Sequence, residues 1–241
     1  MIRVFEPIPH ASLELYVFDL DGTMVDSTQD LANSVNETLG ELRLAALPDA
    51  VIAGFVGNGV PLLLRRSLGR IANVEPDAVD AALFDRALAY FLPCYERHML
   101  ENTQLYPGAL AALEAIYTAG KKPGAKKKTL AICTNKPEKH SLGICRALGI
   151  DKYFMRIYGG DTFKTRKPDP EGLRTLMAEA GVDPKATVMV GDSKGDVQVA
   201  RNAGTWSLGC AFGFGPQTLL ENRPDVWVDS ATDWTRVLLP E

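Results

Sequence analysis

The sequence predicts an α/β fold in which a doubly wound parallel sheet carries an inserted block of helices. Three observations lead there. From residue 106 onward, short runs rich in β-branched residues alternate with helical patterns, as in successive βαβ units. Residues 28–99 show helical periodicity with no strand signal among them, which sets them apart from the rest. Each notable polar cluster directly follows an apolar run, at the strand end where open parallel sheets bind ligands.

The first strand is Leu15-Tyr16-Val17-Phe18. Residues 28–42 follow as a helix, because Leu31, Val35 and Leu39 recur every four positions and share a face. A second helix starts near Pro48 and a third covers 60–68. A long fourth covers 76–99, with Val79, Leu83, Ala87, Tyr90 and Phe91 apolar and Pro93 a kink. After Tyr106-Pro107-Gly108 come a helix at 110–118, a strand at 129–133, a helix at 138–148 and a short strand at 156–158. A helix at 171–180, a strand at 187–190, a helix at 195–203 and strands at 205–210 and 226–228 complete the chain. The predicted division is a core domain of residues 1–25 and 107–241 and a helical cap of residues 26–106, hinged near 25–27 and 105–108.

The first polar cluster is Asp19-Leu20-Asp21-Gly22-Thr23, at the end of the first strand. Side chains at i and i+2 leave a strand on one side, so Asp19 and Asp21 converge and require a cation or a shared proton. Gly22 lets the chain turn and frees backbone amides. An Asp-Gly turn alone is common; three further clusters give this one its meaning. Thr134-Asn135-Lys136-Pro137 offers a hydroxyl and an amide at a strand end before a helix start, suited to phosphate oxygens, or alternatively a helix cap. Lys167-Pro168-Asp169-Pro170 is a stiff loop able to aim Lys167 at phosphate. Gly191-Asp192-Ser193-Lys194-Gly195-Asp196 sets two acids about one helical turn apart, with Asp192 as an N-cap being the plainer reading. Oxygen-only donors of this kind suit Mg²⁺. Together the four describe a phosphoryl-transfer site.

In this order the four clusters resemble the motifs of the haloacid dehalogenase superfamily of aspartate-nucleophile phosphatases, over nearly the whole chain. Phe55-Val56-Gly57-Asn58-Gly59-Val60, Tyr106-Pro107-Gly108, Thr134-Asn135-Lys136-Pro137 and Gly159-Gly160-Asp161 are similar to its phosphoglycolate phosphatase branch. Met24 and Asp169 depart from the usual leucine and histidine without removing a catalytic group.

The resemblance implies a Rossmann-like core under a helical cap, with Mg²⁺ held by Asp19, the backbone carbonyl of Asp21, and Asp192, supported from behind by Asp196. It implies Asp19 as nucleophile, Asp21 as acid and then base, and Lys167, Thr134 and Asn135, with Gly22 and Thr23, on the phosphate. Gly57, Asn58 and Gly59 of the cap loop then meet the leaving group, and Arg65 or Arg66 reaches a substrate carboxylate. The expected substrate is a small phosphate ester, 2-phosphoglycolate first. The alternatives are another metabolite such as a sugar phosphate or pyrophosphate, a phosphosugar mutase, which Thr23 speaks against, and a catalytically inactive binding module. No nucleophile or metal ligand is missing, as the last would require.

Bulk properties set the limits. With 241 residues, 46% hydrophobic, and a formal charge of -4, the chain buries a sizeable core as one large domain or two small ones. No apolar stretch is long enough to span a membrane, and the N-terminus lacks a secretory pattern, so a cytoplasmic monomer or homodimer without membrane partner is expected. Cys94, Cys133, Cys145 and Cys210 lack Cys-x-x-Cys spacing, so neither a disulfide framework nor a zinc site is expected. Five lysines fall within residues 121–128, but the acidic balance argues against nucleic acid and for a solvated loop insertion.

Overall fold

The computed structural model describes residues 1–124 and 126–239. Its main sheet has seven strands: β1 (Ile2–Val4), β2 (Leu15–Phe18), β5 (Thr129–Cys133), β6 (Phe154–Tyr158), β7 (Thr187–Gly191), β8 (Trp206–Cys210) and β9 (Val226–Val228). Their order is β1-β9-β8-β7-β2-β5-β6. All neighbours are parallel except β1, which closes one edge antiparallel to β9. β2 lies between β5 and β7, so the chain winds outward from it in both directions and leaves a switch point there.

Burial on both faces explains why β2 reads as a continuous apolar run. Alternate residues go to opposite sides. Tyr16 and Phe18 join one core with Ile132, Val190 and Trp234, whereas Leu15 and Val17 join another with Leu173, Met189 and Val199. The lysine-rich loop sits at the other end of β2, where Lys128 donates to the Leu13 carbonyl and the Tyr16 hydroxyl; residue 125 of that loop lies outside the described residues.

A third hydrophobic cluster belongs to the insert of α1 (Thr28–Glu41), α2 (Asp49–Ala53), α3 (Val60–Ala72) and α4 (Ala81–His98). Leu31, Val35 and Leu39 are buried in it, as their spacing predicts. The fourth helix is shorter than expected: Pro76–Ala78 is a separate 3-10 turn, and Asp80 caps α4 by accepting from the Leu83 amide. The helix runs through Pro93.

The boundary of the insert holds two strands the periodicity did not show. β3 (Val25–Asp26) pairs antiparallel with β4 (Gln104–Leu105). Just beyond, the fully buried Asp30 carboxylate accepts from the Asn102 and Thr103 amides and from both of their side chains. Helices α5 (Ala109–Ala119), α6 (Glu138–Ala147), α7 (Glu171–Ala180) and α8 (Lys194–Ala203) cover the main sheet. The short α9 (Pro216–Glu221) and α10 (Trp234–Leu238) were also not foreseen. Among the described residues, no helix is long and apolar enough to cross a membrane.

Candidate active site

The switch point gathers the predicted clusters. Asp19 continues the β2 ladder by donating its amide to the Val190 carbonyl, so its side chain leaves at the sheet's carboxyl edge. β5 delivers Thr134, Asn135 and Lys136 beside it, and β7 delivers Asp192. Lys167 reaches the same place: its Nζ lies 3.1 Å from Asp19 Oδ1 and 2.6 Å from Asp196 Oδ1. Oxygens of Asp19, Asp192 and Asp196 all lie within 4.8 Å of one another, and all three residues are buried.

Helix α8 is capped by Ser193, whose hydroxyl and amide donate to Asp196 Oδ2, so Asp192 is not the N-cap. Asp192 Oδ2 instead accepts from the amides of Phe214 (2.7 Å) and Gly215 (3.1 Å). Nor do Thr134 and Asn135 cap α6, whose N-cap is Pro137. Both strand-end clusters are thus left to face the site.

Three buried carboxylates lie together, and the Lys167 ammonium pairs with only two of them, Asp19 and Asp196. Burial pushes Asp19 up to about 6 against the pull of Lys167, and it holds Asp192 well above the usual carboxylate range, with Asp196 and Asp19 adding to the effect. Such a group is stable as anions only with a further positive charge. Its donors are all oxygens, so the chemistry fits a hard divalent cation. Gly22, at φ +78, is required here, because a Cβ at that position would collide with the Asp192 carboxylate.

Asp21 stands apart from that group. Its Oδ1 accepts from Ser27 Oγ at 2.6 Å, and Lys136 Nζ lies 3.0 Å from its Oδ2. The Lys136 side chain is 2% exposed and also bonds the hydroxyl of Tyr95, on α4 of the insert. Burial works to lower the proton affinity of Lys136, but Asp21 and Tyr95 hold its ammonium above the usual range. Lys136 was not assigned a role from the sequence; its position in the cluster after β5 was the available signal.

A cavity separates these residues from the insert. Asp19, Asp21, Thr134, Asn135 and Lys136 line it below, and Leu31, Val56, Gly57, Gly59, Val60 and Leu63 above. Its volume is ≈ 30 Å³, room for about two water molecules.

Several expected contacts are placed elsewhere. Arg65 lies over the Phe84 ring at 4.2 Å, and Arg66 donates to the Phe55 carbonyl at 2.9 Å; neither lines the cavity, and both hold the insert together. Asn58 does not line it either. Gly22 and Thr23 donate their amides inside their own turn, to Val25 and Leu20, and the Thr23 hydroxyl faces Asp192. Among the described residues, Asp21 has the amide of this turn without an acceptor. The Asn135 side chain donates to the Lys167 carbonyl, steadying that loop, while its Oδ1 is buried without a partner.

Three acids gathered beside one lysine at a sheet's switch point, with a fourth held separately beneath the insert, suit the binding of an anionic group through a cation. The fold and site therefore define an α/β protein with a carboxylate-rich centre at the switch point of its sheet. Sequence comparison makes the class specific: the chain belongs to the haloacid dehalogenase-like hydrolase family, whose signature matches residues 16–210. It is 35% identical over 224 residues to a phosphoglycolate phosphatase of Agrobacterium fabrum, covering 93% of this chain and 91% of that one. It is 38% identical over 198 residues to one of Rhodospirillum rubrum, covering 82% and 79%. Among solved structures, a predicted phosphoglycolate phosphatase from Haemophilus somnus superposes with a TM-score of 0.84 at 30% identity, covering 94% of this chain and 98% of that one.

Proposed function

We propose that this protein is a Mg²⁺-dependent phosphatase that hydrolyses a small phosphate monoester, 2-phosphoglycolate before others. The observation that carries the reading is Asp19 on the floor of a small covered cavity, backed by Lys167, which it shares with Asp196, with Asp21 on the same floor bound separately to Lys136. Asp19, Asp192 and the backbone carbonyl of Asp21 would hold the ion, with Asp196 beside them. When bound, Mg²⁺ neutralises charge on the carboxylates and on the phosphoryl oxygens.

Asp19 attacks phosphorus in line: an O–P bond forms to its carboxylate, the ester P–O bond breaks, and an aspartyl-phosphate results. Asp21 gives its proton to the departing alkoxide. It then takes a proton from the water that attacks the phosphoenzyme, releasing phosphate and freeing Asp19. Lys167 and Thr134 stabilise the transferring group. Residues 26–106 act as the cap, and the apolar lining from Leu31, Val56 and Leu63 keeps bulk water from the intermediate.

With Arg65 and Arg66 turned elsewhere, the substrate carboxylate falls to the loop at residues 57–59. Its amides have no acceptor among the described residues, and it leads into the N-terminus of α3. The names of the relatives support phosphoglycolate over a hexose phosphate; a cavity with room for about two water molecules requires the cap to part for either, and further for the larger ester. The test is a screen of phosphate monoesters with Mg²⁺, wild type beside Asp19→Asn. The expected outcome is the highest kcat/KM for 2-phosphoglycolate and no turnover by a folded Asp19→Asn protein. A higher value for a sugar phosphate would move the substrate to the runner-up, and an active Asp19→Asn would end the aspartyl mechanism.

A further inference from the structure

The outer face of the insert holds a second group of metal-competent side chains, which the reaction above does not use. Cys94 and His98 lie four residues apart on α4 and so share a face. Glu37 of α1 meets them there. A nitrogen of His98, the Cys94 sulfur and a carboxylate oxygen of Glu37 all lie within 4.8 Å of one another. The ligands come from two helices, so no cysteine spacing along the chain announces them.

The surrounding bonds sort the atoms of this group. Glu37 Oε1 accepts from the Tyr90 hydroxyl at 3.0 Å and from Arg97 at 3.1 Å. Its Oε2 is left 3.3 Å from His98 Nε2. On the far side of the ring, His98 Nδ1 lies 2.7 Å from Glu101 Oε1. A neutral imidazole that donates from Nδ1 to Glu101 carries its lone pair on Nε2, pointed toward Glu37. Two lone pairs facing at that distance need a proton or a metal ion between them. A carboxylate behind the ring is also the usual means of orienting a metal-bound histidine.

We propose that Glu37, Cys94 and His98 form a binding site for a thiophilic divalent transition metal of the Zn²⁺ kind, distinct from the carboxylate cluster of the active site. A donor set of one sulfur, one imidazole nitrogen and one carboxylate oxygen suits Zn²⁺ and excludes Mg²⁺ as a competitor. Cys94 is buried, but the side chains of His98 and Glu37 are 28% and 40% exposed, which gives the ion its path in. As the metal–sulfur bond forms, the thiol proton leaves to solvent. Water fills the fourth position. The bound ion ties α1 to α4 and braces the cap from outside.

The experiment is a Co²⁺ titration of the full-length protein, stripped with chelator and returned to excess Mg²⁺ so that the carboxylate cluster is filled. Co²⁺ bound to thiolate gives an intense near-ultraviolet charge-transfer band that carboxylate ligands do not give. The band is expected to saturate at one equivalent, to vanish on addition of one equivalent of Zn²⁺, and to be absent in Cys94→Ser. His98→Gln, which alters a partly exposed ring, is expected to weaken Co²⁺ binding by roughly tenfold or more. No band in the wild type, or a band that survives in Cys94→Ser, overturns the proposal. Should Cys94→Ser fail to fold, His98→Gln decides alone, and an unchanged Co²⁺ affinity in that variant overturns the proposal equally.

Discussion

Replacing Lys136 by methionine tests the separation of Asp21 from the cluster of Asp19, Asp192 and Asp196. The change keeps an unbranched apolar stem of nearly the same length while removing the ammonium between Asp21 and Tyr95. Removing one partner of a buried ion pair costs about 3–5 kcal/mol. Asp21 is 12% exposed and keeps its bond to Ser27, so the lower end applies, about 3 kcal/mol. At roughly 2–4 °C per kcal/mol for a chain of this size, the midpoint of thermal unfolding should fall by roughly 6–12 °C. Turnover should fall as well, unequally between the half-reactions. In the proposed reaction the charged form of Asp21 takes the proton from water and needs the ammonium; the protonated form, which serves the leaving group, does not. Hydrolysis of the phosphoenzyme therefore slows more than its formation, by roughly ten- to a hundredfold, and aspartyl-phosphate accumulates. Rapid acid quench with labelled substrate measures that accumulation. Tyr95→Phe, which retains the pair with Asp21, should not show it. A Lys136→Met protein that turns over normally with no phosphoenzyme build-up would refute the role given to the pair.

Gly22→Ala forces a side chain onto the Asp192 carboxylate at a backbone angle that disfavours it, so metal affinity should drop by at least tenfold while the fold survives; calorimetric titration of Mg²⁺ into the variant is the check. Asp30→Ala orphans donors on residues 102 and 103 and should cost about 3 kcal/mol in urea unfolding, with a smaller loss in kcat. The metal-free protein has a distinctive pH dependence. The folded state raises Asp19 from 3.8 to about 6, so the stability this group contributes is full below about 4 and is lost as pH rises through 6. That amounts to about 3 kcal/mol for Asp19 alone. In chelator the protein should be less stable at pH 7 than at pH 5, and Mg²⁺ should remove most of the difference; greater stability in chelator at pH 7 would show that these acids are not strained without a cation.

What could be read from the sequence follows the strength of local signals. The buried strands β2, β5 and β7 are continuous apolar runs that end in polar clusters, so both the sheet and the floor of the site were legible. β3 and β4 have two residues each, too few for any alternation to register. Lys136 looks like a solvated lysine until α4 brings Tyr95 over it, a contact made across the seam between insert and sheet. The arginines lie away from the cavity for a geometric reason. Neighbouring positions on a helix point about 100° apart, and the sequence does not state how α3 is rotated about its axis. That rotation turns Val60 and Leu63 to the cavity and leaves Arg65 and Arg66 to Phe84 and Phe55.

The ribbon of β3 and β4, with Asp30 fastened across it, has a consequence for how such a protein changes over time. Both ends of the insert are joined to each other before either meets the sheet, so the entropy of closing that long loop is borne within the insert. The sheet is presented with a narrow two-stranded stalk, and whatever stands on the stalk is exchangeable. A segment of different size or lining can be grafted between residues 26 and 104 while Asp19, Lys167 and Asp192 keep their positions, provided that it returns the contacts of Ser27 to Asp21 and of Tyr95 to Lys136. On the function proposed above, chemistry and selectivity are thereby inherited as largely separate parts, joined at the two places where the insert reaches Asp21 and Lys136.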